Sequence, residues 1–165
     1  MKVKPLVFYS YMAMIEDSVG SKMWRRNYAL VNGKKTDVTR NGELSCAYYV
    51  STILATFRLI ERHHLLMSSL VSDMERSGWK KVKTPKPGDV IVWGPKLKTD
   101  KDGVAHNHAG FYVGDKKAVT NNYVRSRPNG TKIEVIDYLY RGHPDGQRPI
   151  LAFYRYRGQN LFNKK

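Results

Sequence analysis

Cysteine is almost missing: Cys46 is the one thiol in a chain of 165 residues. No intramolecular disulfide can form, so the fold must hold through its own core, and nothing in its framework calls for an oxidising compartment. Acidic residues are scarce as well, 14 Asp+Glu against 29 Lys+Arg, for a formal net charge of +15 at pH 7. No apolar run approaches the roughly 18 residues that a membrane-spanning helix requires. Nor is there a Pro- or Gly-rich block to mark a linker, a low-complexity stretch or an internal repeat. His106 and His108 lie two apart, but no acidic or thiol cluster completes a set at ligand spacing, so no metal and no cofactor is expected.

What is there describes one globular domain. The chain is 41% hydrophobic and 26% charged, with enough length to close a core unaided. The excess of positive charge concentrates anions, whether nucleic acid, lipid head groups or the anionic polymers of a bacterial cell wall. The basic residues are dispersed rather than gathered into an arm, so solubility is an equal use for them. Residues 5–15 are largely apolar after two lysines. Ser10 and several tyrosines interrupt them and Glu16-Asp17 follows without a small-residue cleavage site, which favours an amphipathic first helix over a secretory leader. Localisation stays open between the cytoplasm and export or release by another route, as does the oligomeric state.

Periodicity divides the chain in two. Residues 1–40 read as a helical opening segment, with helical spacing over 8–26 and an Asn32-Gly33 turn. Within 41–78, Cys46, Val50, Ile53, Leu54, Phe57 and Ile60 fall at the three-and-four spacing of a buried helix face, and Ser45 stands where a cap is wanted. A second helical pattern, Leu66, Leu70, Val71 and Met74, ends at Ser77-Gly78, where glycine suits a helix terminus. After Trp79 the period changes, and 86–157 reads as an antiparallel sheet. Strands are expected at 90–93, 108–113, 118–121, 133–138 and 150–156, separated by turns such as Lys86-Pro87-Gly88-Asp89 and Gly114-Asp115-Lys116. Helices followed by hairpin-linked strands predict an α+β domain, N-terminal helices on an antiparallel sheet.

A lone cysteine is ordinarily a small buried hydrophobe. Cys46, however, opens a helix, where unpaired backbone N–H groups favour thiolate and lower the thiol pKa. Of the histidines, His63, His64 and His143 read as surface residues. His108 begins a strand, and the Ala109-Gly110 pair after it admits close approach by another backbone or a substrate. A polar residue one hairpin later completes a nucleophile, base and orienter in the order that thiol hydrolases use. Thr120, Asn121 and Asn122 compete for that third place.

The segments Gly42-Glu43-Leu44-Ser45-Cys46-Ala47-Tyr48-Tyr49-Val50, Lys86-Pro87-Gly88-Asp89-Val90-Ile91-Val92-Trp93 and His108-Ala109-Gly110-Phe111-Tyr112-Val113-Gly114-Asp115 resemble the NlpC-type and CHAP-type cysteine peptidases of the papain-like superfamily. The resemblance spans about the central half of the chain. It departs from the family pattern at Ser45, where an acidic residue is usual, and in the third position, which is often His. It implies a papain-like core in which Cys46 attacks an amide carbonyl and His108 serves as base. Asn121 would hold the imidazole, with Asn122 as the alternative. The Cys46 N–H is the natural oxyanion donor, and Tyr28 a candidate for support. The implied substrate is a peptidoglycan stem peptide or cross-bridge, or another peptide or amide. Trp24, Trp79, Trp93 and Tyr123 would either wall a groove or fill the core.

The competing reading is a basic domain without catalysis, binding nucleic acid or cell wall. It rests on the charge and on the alternation Phe153-Tyr154-Arg155-Tyr156-Arg157, a pattern that also describes a strand with one solvated face. His106-Asn107-His108 is similar to a nuclease signature, but the metal-binding helix and further ligands of a nuclease are not visible.

Overall fold

A computed structural model describes residues 1–96, 104–122, 132–141, 143 and 146–158. Its elements in chain order are α1 (Val7–Asp17), β1 (Tyr28–Val31), β2 (Lys34–Asp37), α2 (Cys46–Thr56), α3 (Met67–Arg76), β3 (Trp79–Val82), β4 (Val90–Trp93), β5 (His108–Gly114), β6 (Lys117–Asn122), β7 (Lys132–Asp137) and β8 (Ile150–Tyr156). The β strands from β3 onward form one sheet in the order β3-β8-β4-β5-β6-β7, every pairing antiparallel. The domain is thus α+β, with the helices on an antiparallel sheet as the change of period predicts.

The central strand β4 is buried along its whole length, because both of its faces are covered. Val90 and Val92 join the cluster formed with α1, α2 and α3, while Ile91 and Trp93 join a second cluster with Ala118, Ile136 and Tyr140. A strand covered on both sides reads as a continuous apolar run, as Val90-Ile91-Val92-Trp93 does. On the helical side Tyr49 of α2 packs edge-on against Phe111 of β5 at 5.6 Å, and Tyr11 of α1 against the same ring at 5.8 Å. Fully buried side chains of this kind each contribute roughly 1.5–3 kcal/mol, and they fix α2 over β5.

Two expectations change. The helix predicted over 8–26 ends at Asp17, and residues 28–37 form a separate β1–β2 hairpin instead of continuing a helical segment. Asn32 and Gly33 both have positive φ, 50° and 76°, the requirement of a tight hairpin turn whose twist suits the flanking strands. β1 is an apolar run, Tyr28-Ala29-Leu30-Val31, yet all four residues are exposed. Strand β3, also unforeseen, is recruited by pairing with β8, Trp79 opposite Tyr156.

The Pro87-Gly88-Asp89 turn has a structural role. Gly88 sits at φ +91°, with Phe8 and Tyr11 of α1 close to where a Cβ would project, and Tyr11 donates its hydroxyl to the Gly88 carbonyl at 2.9 Å. Asp89 is buried and accepts two bonds from Arg155 on β8, Nε to Oδ1 at 2.9 Å and Nη2 to Oδ2 at 2.7 Å, besides the Lys86 N–H at 2.7 Å. Arg155→Met leaves that carboxylate buried with the fork removed. We expect it to lower unfolding stability by about 3 kcal/mol, read from the urea midpoint, whereas a change under about 0.5 kcal/mol would mean the pair is solvated and structurally idle.

Candidate active site

Cys46 is the first residue of α2 and is 8% exposed. Ser45 precedes it but does not cap the helix through its side chain; its hydroxyl donates to the Gly42 carbonyl at 3.1 Å. The backbone N–H groups of Ala109, Ala47 and Cys46 itself face the sulfur and favour thiolate, aided by the positive charge of Arg148. Burial outweighs them and pushes the thiol above its ordinary value, opposite to the lowering that the helix terminus by itself predicts. In this state Cys46 is a neutral thiol, with Sγ 4.0 Å from the Asn107 carbonyl.

His108 opens β5. Strand alternation sends Ala109 and Phe111 to the helical face and His108 to the other, where its ring lies 5.7 Å from Trp93 and 6.1 Å from Tyr140. Thiol and imidazole therefore approach the end of the sheet from its two sides. They meet in one cavity of about 310 Å³, which both line, and no hydrogen bond joins them. Burial drives the His108 pKa well below the ordinary imidazole value, and the positive charges of Arg148 and Lys96 act in the same direction. The ring is neutral at pH 7, as a general base must be.

The structure separates the three candidates for orienting that ring. Thr120 Oγ1 lies 2.8 Å from His108 Nε2 and 2.7 Å from the Ala109 carbonyl. A hydroxyl has one proton; donated to the carbonyl, it leaves the oxygen to accept from Nε2–H, and Nδ1 is then the nitrogen with a free lone pair. Asn121 lines the same cavity but turns to the helical side, where its Nδ2 donates to the Gly42 carbonyl at 2.7 Å. Asn122 points away again, to Glu134 at 3.0 Å and to His143. Gly110 makes the Thr120 contact possible, since a Cβ there would fall 2.7 Å from Thr120 Cβ and 2.7 Å from the Val119 carbonyl.

No family model matches this chain, and no curated protein or solved structure matches it. The site therefore stands on its own geometry.

Several residues singled out in the sequence lie elsewhere. Tyr28 is half exposed on the β1–β2 hairpin, with Lys35 Nζ 4.8 Å above its ring, and is not part of the cavity wall. Trp24, Trp79 and Trp93 are core residues, and Tyr123 is outside the described residues. His64 is not a surface residue: its Nε2 lies 2.6 Å from Asp73 Oδ2, a buried carboxylate that also accepts the Glu61 and Arg62 N–H groups. His143 is likewise half-buried against Tyr140. Among the described residues no group of three or more His, Cys, Asp or Glu is placed to hold a metal ion, and no helix is long and apolar enough to cross a membrane.

Arg148 is the functional candidate that sequence reasoning missed. It lines the same cavity, is 7% exposed, and donates from Nη1 to the carbonyls of Gly94 and His106 at 2.9 and 2.7 Å. Its neighbours in sequence form no motif, so one arginine among many basic residues carried no signal.

Proposed function

We propose that the protein is a papain-like thiol hydrolase that cleaves amide bonds, with peptidoglycan stem peptides or cross-bridges as its substrates. The observation that carries this reading is the shared cavity: a thiol at a helix start and a neutral imidazole at a strand start open into the same space. The imidazole is held at Nε2, 2.8 Å from Thr120 Oγ1.

In the reaction Cys46 turns from the Asn107 carbonyl toward the ring, His108 Nδ1 takes the thiol proton, and sulfur bonds to the amide carbon. The Cys46 N–H donates to the developing oxyanion. Collapse breaks the C–N bond as His108 returns the proton to the departing amine, leaving a thioester on Cys46. Water, deprotonated by the same imidazole, then releases the acid. A neutral thiol and a neutral imidazole at rest fit a proton transfer concerted with attack, as serine hydrolases use.

Digestion of purified peptidoglycan tests the substrate. New amino groups should appear, and a thioester on Cys46 should be trapped by acid quench and mass spectrometry. Release from other peptides but not from peptidoglycan would remove the cell-wall assignment and leave the chemistry.

Thr120 takes the orienting role in this scheme in place of Asn121. Thr120→Val should cut kcat by about 10-fold and leave KM within about twofold, the size of one lost hydrogen bond to an imidazolium. Asn121→Ala should act mainly on stability, through the Gly42 carbonyl. The reverse pattern would return the third position to Asn121.

A further inference from the structure

Arg148 is more than nine-tenths buried as a residue, yet of its guanidinium only Nη1 is bonded to protein. Among the described residues no carboxylate pairs with it. A buried charge without a counter-ion is costly, and such groups ordinarily meet one. The two carbonyl bonds from Nη1 fix the plane of the fork without neutralising it, so Nε and Nη2 remain as donors on a group lining the cavity. A planar fork with two donors to spare matches a carboxylate in bidentate fashion. Two other charged residues line the cavity, Glu43 and Lys96. Lys96 adds to the positive field, and Glu43 belongs to the turn that leads into α2.

From this arrangement we infer that Arg148 is a specificity residue that receives a free carboxylate of the substrate, within about one residue of the bond cleaved. The inference rests on the hydrolase reading and narrows it, from amides in general to amides beside an acidic group, such as the end of a peptide. The cavity of about 310 Å³ is at the small end of ligand sites, roughly 300–1,000 Å³, which suits a short anionic terminus. From its place on that wall the charge of Arg148 acts on both Cys46 and His108. A bound carboxylate would neutralise that charge.

The test compares two alkylating reagents of similar size, anionic iodoacetate and neutral iodoacetamide, for their rates at Cys46. Both react through thiolate, so the rate ratio, normalised to that of free cysteine, cancels the raised thiol pKa. The wild type should favour iodoacetate by about 10- to 100-fold after normalisation, the range for a charge-assisted pair. The preference should persist at about 0.5 M salt, where the general positive field is screened. Arg148→Met should abolish it and Arg148→Lys should keep part of it, while Lys80→Met, at an exposed position of β3 and with the same change in net charge, should keep it whole.

A normalised ratio near one in the wild type, a ratio unchanged in Arg148→Met, or a thiol that neither reagent labels at any pH at which the protein stays folded would overturn the inference. Paired peptides ending in carboxylate or in carboxamide supply the second arm, and it needs no variant. The wild type should turn over the acid with kcat/KM at least about 10-fold higher. Equal cleavage of both removes the subsite and keeps the hydrolase. Anion-selective labelling lost in Arg148→Met, with neither peptide cleaved, keeps the anion site and removes the hydrolase.

Discussion

Cys46→Ala should abolish amide cleavage, by at least about 10³-fold in kcat, in a protein that still folds. Sγ is the only atom proposed to form a bond with substrate, and a methyl group cannot replace it. The structural cost is small. The sulfur donates one weak hydrogen bond, 4.0 Å to the Asn107 carbonyl, and trimming a buried thiol to a methyl costs on the order of 1 kcal/mol. Circular dichroism and the thermal transition of the variant should therefore match the wild type while the release of new amines disappears. If cleavage continued at more than about a tenth of the wild-type rate, hydrolysis at this thiol would be excluded and the cavity would be a binding site alone. Binding to nucleic acid that survives Cys46→Ala and weakens steeply with salt would then favour the non-catalytic reading.

His108→Gln should lower kcat by about 10²- to 10⁴-fold, the range for a general base, and the pH profile should identify the cause. The wild-type imidazole is held well below its ordinary value, first by burial and then by Arg148 and Lys96. A base works in its unprotonated form, so a depressed pKa extends activity into acid. We expect kcat/KM to stay level as pH falls through about 6.5, where a free histidine protonates, and to decline only at lower pH. Stability follows the same linkage. Below about 6.5 the unfolded chain binds a proton at this position and the folded chain does not, so stability falls with falling pH, and His108→Gln should lessen that fall. An acid limb at or above 6.5 in kcat/KM would assign the base to an exposed histidine instead.

Much of the architecture could be read without coordinates, because it depends on local period. Cys46, Val50, Ile53 and Leu54 share one helix face at helical spacing, and residues 90–93 and 108–113 are short, largely apolar runs bounded by turn or polar residues, as strands are. The observed β4 and β5 agree to within a residue. β3 was not legible, since Trp79-Lys80-Lys81-Val82 has little apolar pattern and is a strand by virtue of its partner β8, while the β1–β2 hairpin showed only its turn, its apolar run Tyr28-Ala29-Leu30-Val31 being exposed and outside any core.

The candidate site divides in the same way. The sequence by itself determined that there is one thiol, that it begins a helix, and that a histidine with two small residues after it begins a strand. It left Thr120, Asn121 and Asn122 level, because neighbouring residues on a strand differ only in the face they take. Which face is the helical one follows from the packing of α2 on Ala109 and Phe111, and only tertiary structure settles it. That packing turns Asn121 to Gly42, leaves Thr120 on the imidazole, and brings Arg148 from a distant segment into the cavity. The raised thiol pKa has the same origin. A helix terminus is encoded locally, but the desolvation that overrides it comes from everything packed around the sulfur, and a sequence does not state its own burial.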